Sequence, residues 1–300
     1  MYVILGATGN IGSVIATSLL AKGEKIRVVG RNACRLDKYV RKGAEAIAMD
    51  ITDAGALTEA LAGARAAFLM LPPNMTSPDY RAEQERISDA IAEAAEASGL
   101  QYAVHLSSIG AQAASGTGPI VGAHNSEKKL NALEDLSVLH LRPAYFMENN
   151  LAGIALIQTM GIFGSALLPD LKIPMIATRD IGAYAAERLL ALDFSGSSTQ
   201  ELLGPRDISM NEVTSIIGRG LGKPDLRYMQ FPYDQIEQVL VQMGTPAKSA
   251  GQFAELFKGI NEGIVTNEEP RSAANTTPTS FETFVQDILA PAYRGSAATA

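Results

Sequence analysis

Tyr2-Val3-Ile4-Leu5-Gly6-Ala7-Thr8-Gly9-Asn10-Ile11-Gly12 opens the chain. Four apolar residues lead into a G-x-x-G-x-x-G loop, and an amphipathic stretch over residues 11–21 follows. This order reads as a buried strand, a tight turn and a helix. Gly6 allows a sharp turn, Gly9 lets the backbone approach a pyrophosphate, and Gly12 lets the helix pack close to the strand. The helix start presents unpaired N–H groups and the positive end of its dipole to phosphates. Glycine spacing alone is common in turns. Its position between a strand and a helix is the context a dinucleotide-binding loop requires. Thr8, Asn10 and Ile11 join the three glycines as expected phosphate-side residues.

The rest of the N-terminal half repeats this alternation. Apolar runs at residues 26–29, 46–49, 67–71, 102–106 and 138–141 read as strands, several buried on both faces as in a parallel sheet. Helical patterns cover residues 54–61, 80–97 and 126–133. The expected fold class is α/β, a doubly wound parallel-sheet Rossmann domain over residues 1–145, with a smaller α+β substrate-side region over 146–293 interleaved with it. In that second region, residues 145–160 read as helix, 161–170 as loop, 173–177 as strand and 180–192 as helix. Strands at 199–203 and 226–231 flank a helix at 209–221, and further helices end near Ala290. The small, polar tail 294–300 reads as disordered.

The second strand ends Val28-Val29-Gly30-Arg31. NAD-specific sites usually place an acid here for the adenosine ribose hydroxyls. Arg31, with Asn32 beside it and Arg35 one turn on, suits a 2′-phosphate instead, because a guanidinium pairs with it bidentately. The expected cofactor is therefore NADP(H) in preference to NAD(H), unless both arginines are plain surface charges. Asp50-Ile51 ends the third strand and belongs to the same expected site. Asp50 either accepts the adenine amino group or caps the helix that starts near Asp53.

At 300 residues with 47% hydrophobic content, the chain can bury a large core. A net charge of −7 argues against direct nucleic-acid binding. Cys34 is the single cysteine, so neither an internal disulfide nor a zinc site is expected. No apolar run approaches the roughly 18 residues needed to span a bilayer. A cytoplasmic protein that acts without a membrane is the expectation.

The chain resembles the NmrA-like family, a branch of the atypical short-chain dehydrogenases/reductases. The resemblance rests on residues 6–12, Arg31, Asp50, Leu71-Pro72-Pro73, Ser107-Ser108-Ile109-Gly110, residues 141–150 (LRPAYFMENN), residues 177–185 and Gly204-Pro205. It covers roughly residues 1–260. The resemblance implies that Leu71 and Pro72 lie beside the nicotinamide-side ribose and pyrophosphate. It also implies that Ser107 and Ser108 end the fifth strand at the cofactor. Pro143, Ala144, Tyr145 and Phe146 would lie against the nicotinamide. The family is divided in function. Some members reduce quinones or related small substrates, and others bind NADP and act as redox-sensing regulators through a protein partner. Two readings therefore stand: an NADPH-dependent reductase of a small apolar substrate, or a non-enzymatic sensor.

The Tyr-x-x-x-Lys pair of most short-chain dehydrogenases is absent. His124 stands where the tyrosine would be, and Lys128 follows at i+4 on the same helix side. His124, Lys128 and Ser108 are the candidate catalytic residues. His124 is the candidate proton donor, Ser108 orients a carbonyl oxygen, and Lys128 also holds the nicotinamide ribose hydroxyls. The alternative is that His124 and Lys128 merely begin a surface helix. His105 and His140 lie inside apolar strands and read as core residues. Glu127, Lys128 and Lys129 read as a solvated helix face. Phe146, Met147, Asn150, Phe163 and Leu167 line a possible apolar substrate pocket, or are core.

Overall fold

Strand and helix alternate from the N-terminus to Pro143 in the computed structural model, which describes residues 1–297. The order is β1 (Tyr2–Leu5), α1 (Asn10–Ala21), β2 (Ile26–Gly30), α2 (Ala33–Val40), β3 (Glu45–Ala48), α3 (Ala54–Leu61), β4 (Ala66–Met70), α4 (Tyr80–Ala97), β5 (Tyr102–Leu106), α5 (Ile120–Asn131) and β6 (Ser137–Pro143). The second half adds β7 (Tyr145–Phe146), a 3-10 helix (Met147–Gly153), α6 (Ile154–Met160), β8 (Ile162–Ser165), β9 (Ile173–Ile176), α7 (Thr178–Ala191) and β10 (Ser197–Leu202). It ends with β11 (Asp207–Ile208), α8 (Met210–Gly220), β12 (Arg227–Gln230), α9 (Tyr233–Gln242), α10 (Ala247–Asn261), α11 (Phe281–Phe284), a π turn (Val285–Leu289) and α12 (Ala290–Ala297).

The central sheet has seven strands in the order β10-β6-β5-β4-β1-β2-β3, all parallel. From β1 the chain runs outward through β2 and β3, then returns to the other side of β1 as β4. The strand order therefore reverses between β1 and β4, and a crevice opens there at the carboxyl ends of the strands. Alternate residues feed two cores. Ile4, Val28, Phe68, Val104 and Leu141 pack on the side of α1 and α7, while Val3, Val29, Leu69, Ala103 and Val138 pack on the opposite side.

The C-terminal half is not a separate body. Its strand β10 completes the sheet against β6, from Ser197 opposite Val138 to Leu202 opposite Pro143. A single apolar cluster runs from Ile15 in α1 to Phe284 in α11. Two small sheets, β11-β9-β7 and β12-β8, sit in this half.

The structure corrects four sequence-based expectations. Residues 145–160 are not one helix. Tyr145 and Phe146 pair with Met175 and Ile176 as a strand, and the helix that follows starts as 3-10. Here the Asn150 amide donates to the Met147 carbonyl and competes with the helical ladder. Residues 162–165, expected as loop, form β8 because β12 supplies a partner. Helix α5 begins at Ile120, six residues before the expected start. Helix α12 runs through Ala297, so residues 294–297 are helical, and the remainder of the expected tail lies outside the described residues.

Candidate active site

The glycine loop joins β1 to α1 at the crevice. Gly6 adopts φ +66°, a left-handed conformation that a side chain would strain. Gly12 packs against the same turn so tightly that a Cβ there would stand 2.4 Å from the Gly6 carbonyl oxygen. Gly9 differs. Its φ is −86° and it is exposed, and a Cβ would meet only the Gly6 oxygen, at 3.4 Å. The protein therefore leaves room at Gly9, and a ligand is what would need that space. Gly9 is also the N-cap of α1 and no side chain caps the helix, which leaves its first turn available to phosphate. The residues present fit a dinucleotide.

Helix α2 fastens this loop. The Tyr39 hydroxyl donates to the Ala7 carbonyl at 2.7 Å, and Arg35 Nη2 donates to the Thr8 carbonyl at 3.3 Å. Arg31 is exposed at the end of β2. The Asp50 carboxylate accepts from the Thr52 N–H and hydroxyl, at 3.0 and 2.9 Å. These bonds, with lesser help from the charges of Arg31 and Arg86, hold its carboxyl below the usual range. Asp53, not Asp50, caps α3 through the Ala56 N–H. Asp50 thus shapes the turn before the helix. Ile51 and Leu71 pack at the edge of the apolar core on the Val3 face of the sheet, and Pro72 is half-buried.

At the ends of β5 and β6 the structure brings together residues far apart in the chain. The Ser107 hydroxyl donates to Glu127 Oε1 at 2.5 Å. Arg142 grips the same carboxylate with Nε and Nη2, at 2.9 and 2.7 Å, and reaches Glu268 with Nη1 at 2.9 Å. Glu127 is only 6% exposed, which corrects the reading of a solvated face. Burial pushes its carboxyl pKa up, but the hydrogen bonds from Arg142 and Ser107 outweigh that and leave it below the usual range. An arginine in the largely apolar β6 was the available signal, because a buried guanidinium needs an acid partner.

Ser108 is half-buried, and its hydroxyl donates to the Ile109 carbonyl at 2.9 Å. His124 is half-buried, with Nδ1 2.8 Å from the Ala111 carbonyl. A carbonyl only accepts, so Nδ1 carries the proton and the neutral ring offers Nε2 as an acceptor. Lys128 is exposed. Pro143 is buried at the end of β6, and Tyr145 and Phe146 are half-buried beyond it. Burial lifts the Tyr145 hydroxyl well above its ordinary pKa, Tyr228 pushes the same way, and a hydrogen bond with Asn149 opposes the shift. Tyr145 is therefore a poor proton donor. Met147, Asn150, Phe163 and Leu167 are at most 3% exposed and belong to the core, not to an open pocket. Phe146 alone of that group keeps an open face.

His105 and His140 are core residues, as expected. Their Nδ1 atoms are 2.9 Å apart, His105 Nε2 meets the Ser126 hydroxyl at 3.1 Å, and His140 Nε2 meets Asn131 Oδ1 at 2.8 Å. Burial lowers both pKa values, that of His140 to about 4.

Comparison with known proteins finds the same fold and a family. The chain is 28% identical to an NAD(P)H azoreductase of Xenophilus azovorans, over 86% of each chain. Its fold matches that of the NADPH-dependent quinone oxidoreductase QOR2 of Escherichia coli, solved with NADPH, at a TM-score of 0.78 and 22% identity, covering 95% of this chain and 98% of that one. It also matches the Citrobacter sp. triphenylmethane reductase, solved with NADP(H), at a TM-score of 0.79 and 17% identity, covering 96% and 99%. The sequence profile of the NmrA-like family matches residues 2–285, and the chain belongs to that family.

Proposed function

We propose that the protein is an NAD(P)H-dependent oxidoreductase that uses NADPH in preference to NADH to reduce a small, planar, apolar substrate such as a quinone or an azo compound. The observation that carries this reading is the loop at the β1/β4 crevice. It has open space at Gly9, Arg35 folded onto it, and Arg31 where an NAD site would hold an acid. Relatives named as azoreductase and quinone oxidoreductase support reduction over sensing.

Bound reduced nicotinamide supplies a hydride. The chain's own residues bind and orient. The first turn of α1 takes the pyrophosphate, Arg31 and Arg35 take the 2′-phosphate, and Lys128 takes ribose hydroxyls. The half-open Phe146 offers an apolar surface beside the nicotinamide end. His124 gives a proton only as imidazolium, because its Nδ1–H is committed to Ala111. The test is to mix the protein with NADPH and a panel of quinones and azo dyes and follow nicotinamide absorbance. Substrate-dependent oxidation is expected. Tight NADPH binding with no acceptor reduced would move the assignment to a sensor.

A further inference from the structure

Ser107 follows the last residue of β5 at the carboxyl edge of the central sheet, where the cofactor reading above puts the nicotinamide. Its N–H donates to the Leu141 carbonyl at 2.8 Å, one step beyond the last paired residue of β5. Its side chain points to the same face as His105, toward α5, where Glu127 waits at 2.5 Å. A serine hydroxyl has one proton and two lone pairs. Glu127 is ionised, held by two bonds from Arg142, and can only accept. The single Ser107 proton is therefore committed to Glu127, and what remains for any other group is acceptor capacity.

We propose that Glu127, anchored by Arg142, is a positioning residue that makes Ser107 a hydrogen-bond acceptor toward the nicotinamide end of the cofactor, and so removes Ser107 as a proton donor to the substrate. This rests on the cofactor reading above. The donors available at that end are the ribose hydroxyls and the carboxamide N–H, and an acceptor suits both. A serine in this position that donated to a substrate oxygen would have to release Glu127. That would leave a carboxylate only 6% exposed with one bond fewer. The proton that completes reduction then comes from His124 as imidazolium or from water, not from Ser107.

The test uses Ser107→Ala, Ser107→Thr and Glu127→Gln, each checked for folding by thermal melting, with NADPH affinity read by fluorescence titration and turnover by steady-state kinetics. Ser107→Ala leaves the Glu127–Arg142 pair in place, so it reports even if Glu127→Gln fails to fold. Loss of one hydrogen bond weakens NADPH binding about tenfold in Ser107→Ala. Ser107→Thr restores most of it, while kcat falls less than about threefold. Glu127→Gln can donate its amide N–H to Ser107 and turn the hydroxyl outward as a donor. It weakens binding by a similar factor, and the double variant Ser107→Ala/Glu127→Gln is no weaker than either single one. The proposal is overturned if folded Ser107→Ala keeps full NADPH affinity. It is also overturned if kcat drops by about 10²-fold with affinity unchanged, the signature of a lost general acid. A wild-type chain that binds neither NADPH nor NADH would instead defeat the cofactor reading itself, and this inference with it.

Discussion

His105 and His140 face each other across β5 and β6 with their Nδ1 atoms 2.9 Å apart, a hydrogen bond that forms when one ring supplies the proton and the other accepts it. With His140 Nε2–H donating to Asn131, His140 Nδ1 accepts from His105, and His105 Nε2 accepts from Ser126. The four side chains then close one chain of bonds with both rings neutral.

Acid therefore destabilises this fold through these rings. Both pKa values lie below the ordinary 6.5 in the folded state, His140 at about 4, while the unfolded chain takes up protons near 6.5. The unfolded state binds more protons between those limits. Stability is complete above about pH 6.5 and falls as pH drops toward about 4. For His140 the loss is on the order of 3 kcal/mol. Chemical denaturation across this range measures it, and His140→Gln flattens the dependence. An unfolding free energy constant from neutral pH to about pH 4 would contradict the neutral pair.

Two glycines of one loop give opposite variants. A Cβ at position 9 would meet only the Gly6 oxygen, at 3.4 Å, so Gly9→Val is expected to fold and to lose at least about tenfold in NADPH affinity. Gly12→Ala drives a Cβ to 2.4 Å from that same oxygen and destabilises the fold by about 1–3 kcal/mol. Calorimetry and thermal melting separate the two effects. Equal NADPH affinity in wild type and Gly9→Val would remove the phosphates from this loop.

On the proposed reading, proton delivery falls to His124 and ribose binding to Lys128, both on α5. His124→Ala lowers turnover on the order of 10²-fold if the imidazolium is the acid. Lys128→Ala raises the KM for NADPH and leaves kcat nearly intact. A His124→Ala variant with full activity assigns the proton to water.

The dinucleotide loop was legible because its evidence is local: β1, the three glycines and α1 fall within twenty consecutive residues. The same holds for α3 and α4, whose observed bounds equal the expected ones. Strand β8 was not legible, since its partner β12 lies more than sixty residues away and its own Ile162-Phe163-Gly164-Ser165 is short and glycine-broken. Glu127 was misread because two lysines follow it. Only the early start of α5 and the arginine of β6 turn it inward. Met147, Phe163 and Leu167 read equally well as pocket or core, and packing against the C-terminal half decided for core.

On the proposed reading, cofactor selectivity is set by Arg31 at the end of β2. Arg31→Ala removes most of the preference for NADPH while NADH binding changes little. Arg35→Ala weakens both cofactors, because Arg35 also fastens the Thr8 carbonyl. Titration of each variant with each cofactor distinguishes these outcomes. A wild-type preference retained in Arg31→Ala would place the 2′-phosphate elsewhere.

The most direct test of an NADPH-dependent reductase is the ratio of kcat/KM for NADPH to that for NADH, measured with one quinone acceptor. The account predicts quinone-dependent oxidation of both, with a ratio of at least about ten, equivalent to ~1.4 kcal/mol at the 2′-phosphate. A ratio near one, or no oxidation of bound NADPH by any acceptor, would contradict it.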